Sequence, residues 1–245
     1  MSLNTHSLDL ESSSSQYASI ADGSQTGLDM SNNISLECWM KLEGTGRQTV
    51  LGKGVPADGG ANDGYEIAYR GDQANDPLFF YLNGNSTLLL PVSVNTNGSL
   101  EDGEWHHIAV TSTYTTTIIY IDGVDSTTSG GSHANSGDPS NSQPFYIGQT
   151  DGKTGRFYDG LIDEVRVWND IRTQTEIQNN KDIQLVGDEA GLVGYWQLNN
   201  DYLDQTSNDN DLTASGSPVF STDVPFPGSS AVGLTTLLGG GIIQG

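Results

Sequence analysis

The sequence predicts an all-β protein built as a two-sheet sandwich. Three observations carry this. Residues 144–169 read as strand, polar loop, strand: a short β-rich run ending in Gly148, a loop of Asp, Gly and Lys over 149–156, then period-two alternation over 157–169. The 31 glycines, with abundant Asn, Ser, Thr and Asp, supply the turns that many strands need. A hydrophobic fraction of 34% over 245 residues is enough for one large two-sheet core.

The elements follow in order. Residues 3–10 alternate and form a first strand, 12–15 a polar link, and 17–20 a second strand turned by Ala21, Asp22 and Gly23. Residues 34–42 are a core strand, with Ile34, Leu36, Cys38 and Met40 on one parity and Glu37 and Trp39 on the other. A strand starts over 49–52, and a loop rich in Asp, Asn and Gly follows over 55–64. Strands at 65–70 and 78–82 come next, and 88–94 is strand-like, with Pro91 marking an edge or irregularity. The turn at 102–104 leads into a strand over 105–111. There His106 and His107 are adjacent, so they point to opposite faces and do not readily share one metal. The β-branched run 115–121 is turned by Asp122-Gly123, a hairpin signal. Residues 129–142 are a long polar loop that leaves His133 in solvent. In the anchor strand, Leu161, Asp163, Val165 and Val167 share one parity, and Ile162, Glu164, Arg166 and Trp168 the other. Neither set is purely apolar, which places this strand between layers, and its two carboxylates need partners or a metal. One short helix is expected over 172–180, a late strand over 192–198, and re-pairing of 212–214 with an N-terminal strand.

A set of motifs in this order carries a family resemblance: SLECWMKL at 35–42, DGEWHHIAV at 102–110, IIYIDGV at 118–124, YIG at 146–148, IDEVRVWN at 162–169, RTQTEI at 172–177 and LVGYWQL at 192–198. Together they resemble the concanavalin A-like, laminin G-like domains of the lectin and glucanase superfamily, pentraxins included, over about residues 3–218. The resemblance implies an antiparallel jelly-roll sandwich with one short helix, a domain over 1–217 and a separate tail over 218–245. It makes the Trp-His-His element a packing feature. It also implies calcium. In pentraxin-like relatives ions lie between two loops whose matching positions here are Asn62 and Asp63, with Asp151 from the second loop and Asp58 nearby. A second, structural site would use Asp22 and Asp163. Each of these residues serves equally as a turn former. The closing loop 204–212 departs from the family pattern, because Asn208 and Asp209 replace its usual glycine context.

Composition narrows function. The net charge of −22, from 31 acidic and 9 basic residues, argues against nucleic acid as a partner and favours cations such as Ca²⁺. The one cysteine, Cys38, has no intramolecular disulfide partner. No signal peptide and no run suited to membrane insertion is visible in this chain. No nucleophile elbow, phosphate loop, dinucleotide fingerprint, zinc motif or EF-hand loop occurs. The nearest approach to a glycan hydrolase is Asp163-Glu164, which as neighbours in a strand face opposite ways and cannot form an acid–nucleophile pair. A sugar-stacking aromatic would come from Tyr65, Tyr69, Tyr81, Tyr146 or Tyr158. The stretch 224–245 has no charged side chain and carries Leu234, Leu237, Leu238, Ile242 and Ile243, which gain by burial. The expected function is therefore a non-enzymatic recognition or adhesion module for a glycan or protein surface, supported by calcium. The alternative is a virion subunit, such as a phage capsid decoration or tail-associated protein, assembling through its tail as an oligomer. The expected location is extracellular or on a virion surface.

Overall fold

A computed structural model describes residues 3–30, 33–54, 64–83, 92–96, 98–113, 115–128, 140–150 and 154–226. Their strands, in chain order, are β1 (Ser7–Leu10), β2 (Tyr17–Ile20), β3 (Ile34–Leu42), β4 (Arg47–Lys53), β5 (Gly64–Arg70), β6 (Leu78–Asn83), β7 (Val92–Val94) and β8 (His106–Ser112). Then come β9 (Thr117–Ile121), β10 (Val124–Asp125), β11 (Phe145–Ile147), β12 (Gly160–Trp168), helix α1 (Gln174–Asn180), β13 (Leu192–Trp196), β14 (Thr213–Ser215) and β15 (Val219–Ser221). An eight-stranded sheet runs β10-β9-β8-β3-β12-β1-β15, with β13 also paired to β12; a seven-stranded sheet runs β14-β2-β11-β4-β5-β6-β7. All pairings are antiparallel. This is the jelly-roll sandwich that the sequence predicts.

The inner faces of both sheets bury one apolar cluster. Leu36, Cys38 and Met40 of β3 meet Ile67 and Tyr69 of β5, Phe80 of β6 and Phe145 and Ile147 of β11 in it. Alternation within each strand then sends the intervening residues outward. The Asp122-Gly123 turn has φ values of 53° and 78°, both left-handed, as a tight two-residue hairpin requires. Gly160 opens β12 at φ 134°, where a Cβ would stand 2.2 Å from the Lys41 carbonyl oxygen, so no side chain fits between β12 and β3 there.

The strand β12 departs from simple alternation. Its register on β3 slips between Asp163 and Arg166, and Glu164 takes a left-handed φ of 52°. This bulge changes the parity midway. Ile162, Val165 and Val167 all face the core, whereas Trp168 belongs to a second cluster with Leu185, Leu192 and Tyr195 on the outer side. The bulge also divides the neighbours of β12. Gly160–Ile162 pair with β1, and Val165–Trp168 pair with β13. The strand does lie between two layers: the seven-stranded sheet inside, and outside it the segment carrying α1. A capping box between Thr173 and Glu176 starts α1, and Ile177 buries it against Ala109 and Tyr120.

The domain boundary expected at residue 217 needs correction. Val219–Ser221 pair with β1 as the edge strand β15. Beyond it, Asp223 accepts hydrogen bonds from Lys41 and Trp105, and Phe226 packs edge-on to Trp39. The sandwich therefore includes residues to 226; the rest of the expected tail lies outside the described residues, as does His133.

Candidate functional site

The outer face of the seven-stranded sheet carries an open groove of about 430 Å³. Three loops line it: Ser12, Ser13 and Ser15 after β1, Thr45–Gln48 entering β4, and Thr154, Gly155, Phe157 and Asp159 before β12. The groove walls are held by hydrogen bonds. The buried Gln48 donates to the Gly44 carbonyl at 2.7 Å and accepts from the Asp159 N–H at 2.9 Å. Asp159 Oδ1 accepts from the Ser12 N–H at 3.0 Å, and the Thr49 N–H donates to the Arg156 carbonyl at 2.9 Å. Phe157, half-buried, lies parallel to Tyr17 with ring centres 6.3 Å apart, and Tyr17 meets Tyr146 edge-on at 5.8 Å. A wall of hydroxyls beside an aromatic face is the chemistry that a sugar ring uses.

Charge is concentrated here. Arg47 and Arg70 stand opposite each other in the β4–β5 register, so they share the outer face. Glu66, fully buried on the same face, accepts from Thr49 Oγ1 at 2.7 Å. Arg70 pairs bidentately with Asp72, at 2.7 and 3.0 Å. Burial, then the nearby charges of Arg156 and Arg70, hold the Arg47 guanidinium below the usual arginine range, with Glu66 opposing. Beyond Asp159, the carboxylates of Asp9, Glu11 and Glu43 lie within 4.8 Å of one another. Burial, then the charge of Asp159, raises Asp9, and burial, then the charges of Asp9, Glu11 and Asp159, raises Glu43.

Of the residues expected to ligate calcium, Asp22 and Asp163 are described and stand apart. Asp22 accepts from Lys53 Nζ and Gln25 Nε2, at 2.7 and 2.6 Å. The Lys53 ammonium is fully buried, 3.2 Å from Asp29 and 2.7 Å from the Gln143 carbonyl oxygen. A built-in cation thus already sits among the oxygens at Asp22, and it holds that carboxyl below the usual range through its hydrogen bond. Asp163 lies in the other sheet, fully buried, accepting from Asn4 Nδ2 at 2.8 Å. Burial and then the neighbouring Glu164 push its carboxyl well up. Asp22 and Asp163 share no hydrogen-bond partner. Asp58, Asn62, Asp63 and Asp151 lie outside the described residues.

Glu164 is also buried, taking Arg166 at 2.9 Å, the Tyr195 hydroxyl at 2.7 Å and Gln184 at 3.2 Å. Neither residue of the Asp163-Glu164 pair reaches solvent. The five tyrosines named as sugar-stacking candidates are buried too, none more than 8% exposed. The aromatic that lines the groove is Phe157, stacked on Tyr17, and neither is among the tyrosines expected from the sequence. The signal available was parity: Tyr17 alternates with the core residues Ala18 and Ile20.

The sequence profile of the concanavalin A-like lectin/glucanases superfamily matches residues 12–178. No curated protein sequence matches the chain. Among solved structures, the chain is similar to a Bacteroides ovatus protein proposed to bind carbohydrate, with TM-score 0.61 and 18% identity, covering 92% of this chain and 61% of that one. It is similar to the heptameric SAP-like pentraxin of Limulus polyphemus, with TM-score 0.61 and 12% identity over 89% of this chain and 95% of that one. It is also similar to the CBM40 of a Ruminococcus gnavus sialidase bound to α2,3-sialyllactose, with TM-score 0.55 and 9% identity over 71% and 95%. The chain thus spans less than two thirds of the Bacteroides protein. With a profile match over more than half its length, and with both sheets in place, the chain belongs to the concanavalin A-like lectin/glucanases superfamily.

Proposed function

We propose that this protein is a non-enzymatic glycan-recognition module whose ligand lies in the groove on the outer face of the seven-stranded sheet. The groove itself carries the reading: an open 430 Å³ space with three serines, Thr45 and Asp159 to meet hydroxyls, and Phe157 to meet a ring face. Two of the solved structures it resembles are described as carbohydrate-binding, one by proposal and one with a bound sialylated sugar, which supports the same reading. Calcium support belongs to the proposal. Thr150 Oγ1 donates to the Gly54 carbonyl at 2.8 Å, which ties together the points where the two acidic loops begin. Asp58, Asn62 and Asp63 follow the first point and Asp151 the second, so these four oxygen-bearing side chains would hold the ion. Bound there, Ca²⁺ supplies a hard cation that links the loops through oxygen ligands. Asp22 is left to Lys53.

Two measurements test this. Full-length protein applied to a glycan array should bind a defined subset of oligosaccharides, with no change in their mass after incubation. Binding to none of them contradicts the proposal. Thermal unfolding in Ca²⁺ and in EDTA tests the ion separately: the unfolding temperature should rise with Ca²⁺ and cease to do so in Asp63→Asn. Equal unfolding temperatures in both buffers remove calcium from the account.

A further inference from the structure

We propose that the groove selects uncharged oligosaccharides, with Asp159 as the residue that discriminates them from acid-bearing ones. This rests on the glycan-recognition reading and names the ligand class of that same groove.

Of the described residues that line the groove, two are charged, Arg47 and Asp159. They differ in what they offer a ligand. Arg47 already has partners within the protein, as do Arg156 beside it and Arg70, which is paired with Asp72. Asp159 is held from three sides. Its N–H donates to Gln48 Oε1 at 2.9 Å, its carbonyl oxygen accepts from the Glu43 and Gly44 N–H groups at 3.0 and 3.2 Å, and its Oδ1 accepts from the Ser12 N–H at 3.0 Å. The carboxylate rests on Gly44, where a Cβ would come within 2.6 Å of Oδ2. Oδ2 has no hydrogen-bond partner among the described residues. A carboxylate fixed in this way accepts from a sugar hydroxyl, and the bond is charge-assisted. An ionised uronate or sulfate has no proton to give it.

The surroundings add repulsion. Glu11 adjoins Ser12 of the groove wall, and Glu43 lies one residue beyond Gly44 from Thr45. With Asp9, their carboxylates lie within 4.8 Å of one another. After burial, the charge of Asp159 raises Asp9 and, behind Asp9 and Glu11, Glu43, so Asp159 shares one field with all three. Lys41 opposes that field at Glu43, but it is itself paired with Asp223 at 2.8 Å. In a molecule of net charge −22 this end of the groove is unfavourable to an anion. Phe157 offers a ring face to the C–H face of a neutral sugar. Attraction for hydroxyls and repulsion of acids then meet at one residue, and specificity uses both.

The test uses full-length protein on an array in which each neutral oligosaccharide has acid-bearing twins: lactose beside 6′-sulfated lactose and α2,3-sialyllactose, and xylotriose beside xylotriose carrying glucuronic acid. Pairs that bind are then measured by calorimetry. The neutral member should bind roughly tenfold tighter at low salt, and the gap should narrow as salt screens the carboxylates. Asp159→Asn keeps an oxygen for the Ser12 N–H and removes the charge; it should weaken the neutral member roughly tenfold and shrink the gap. Glu43→Gln should strengthen the acidic member and shrink the gap from the other side. Denaturation curves confirm that each variant folds, and if Asp159→Asn does not, Glu43→Gln decides in its place. Acidic members that bind as well as neutral ones, or a neutral preference that the folded variant leaves intact, overturn this inference and leave glycan recognition standing. Binding to no array member removes glycan recognition, and this inference with it.

Discussion

Each sheet carries an arginine on its outer face, and the two arginines sit in opposite surroundings. Arg166, on the eight-stranded sheet, is 1% exposed and donates to Glu164, to the Asn180 carbonyl at 2.9 Å and to the Ile183 carbonyl at 2.6 Å. Glu37 stands 3.9 Å away and is itself 3.4 Å from His107. Burial would raise Glu37, but His107 and the charge of Arg166 outweigh it and hold the carboxyl down. The segment bearing α1 covers this network, so it is closed and cannot meet a ligand. Arg47, on the seven-stranded sheet, lines a groove open to solvent. A buried charge inside a closed network holds the fold together, whereas one in the wall of an open groove is partly solvated and contributes less to it.

The contrast sets an order of expected effects. The largest should come from Arg166→Met, which strands Glu164 and Glu37 in a dry layer at a cost of about 3–5 kcal/mol; urea denaturation measures it, and a change under 1 kcal/mol would equate the two faces. Next is Thr173→Ala, which removes the capping box of the covering helix and should cost about 1 kcal/mol in the same assay. Arg47→Gln should change stability by less than about 1 kcal/mol in the same assay, because Arg47 is only half-buried. The smallest is a pH effect at His106, which lies 2.9 Å from Asp122 and 3.2 Å from Asp102. The Asp122 hydrogen bond raises its pKa against burial, with Asp102 adding to it. A raised folded pKa contributes stability that is full below the unfolded value of about 6.5 and is lost as pH rises through the folded value. Wild-type protein should therefore lose more stability than His106→Gln on going from about pH 6 to 8. Parallel curves would remove His106 as the cause.

The sequence made the strands legible because two periodicities, alternation and turn residues, are local. The bounds of β2, β3 and the Asp122-Gly123 hairpin follow from them directly. The bulge in β12 was not legible. A strict period of two puts Asp163 with Val165, and only the pairing with β3 shows that Glu164 is the extra residue. The edge strand β15 was missed for a similar reason. Its three residues gain order from β1, over two hundred positions away, and carry no local signal. A truncation meant to test the tail must accordingly end after Phe226. The groove was the least legible part. Arg47, Arg70 and Arg156 are far apart in the chain, and only the β4–β5 register and the loop before β12 bring them together. The tyrosines named from the sequence are core residues, because strand parity places aromatic rings inside as readily as outside.

The most direct test of the account is amide chemical-shift mapping by NMR with the tightest-binding glycan from the array. The account expects shifts concentrated at residues 12–15, 45–48 and 154–159, with none across Glu164, Arg166 and Trp168. Shifts centred on the α1 segment or the eight-stranded sheet, with the groove silent, would contradict it.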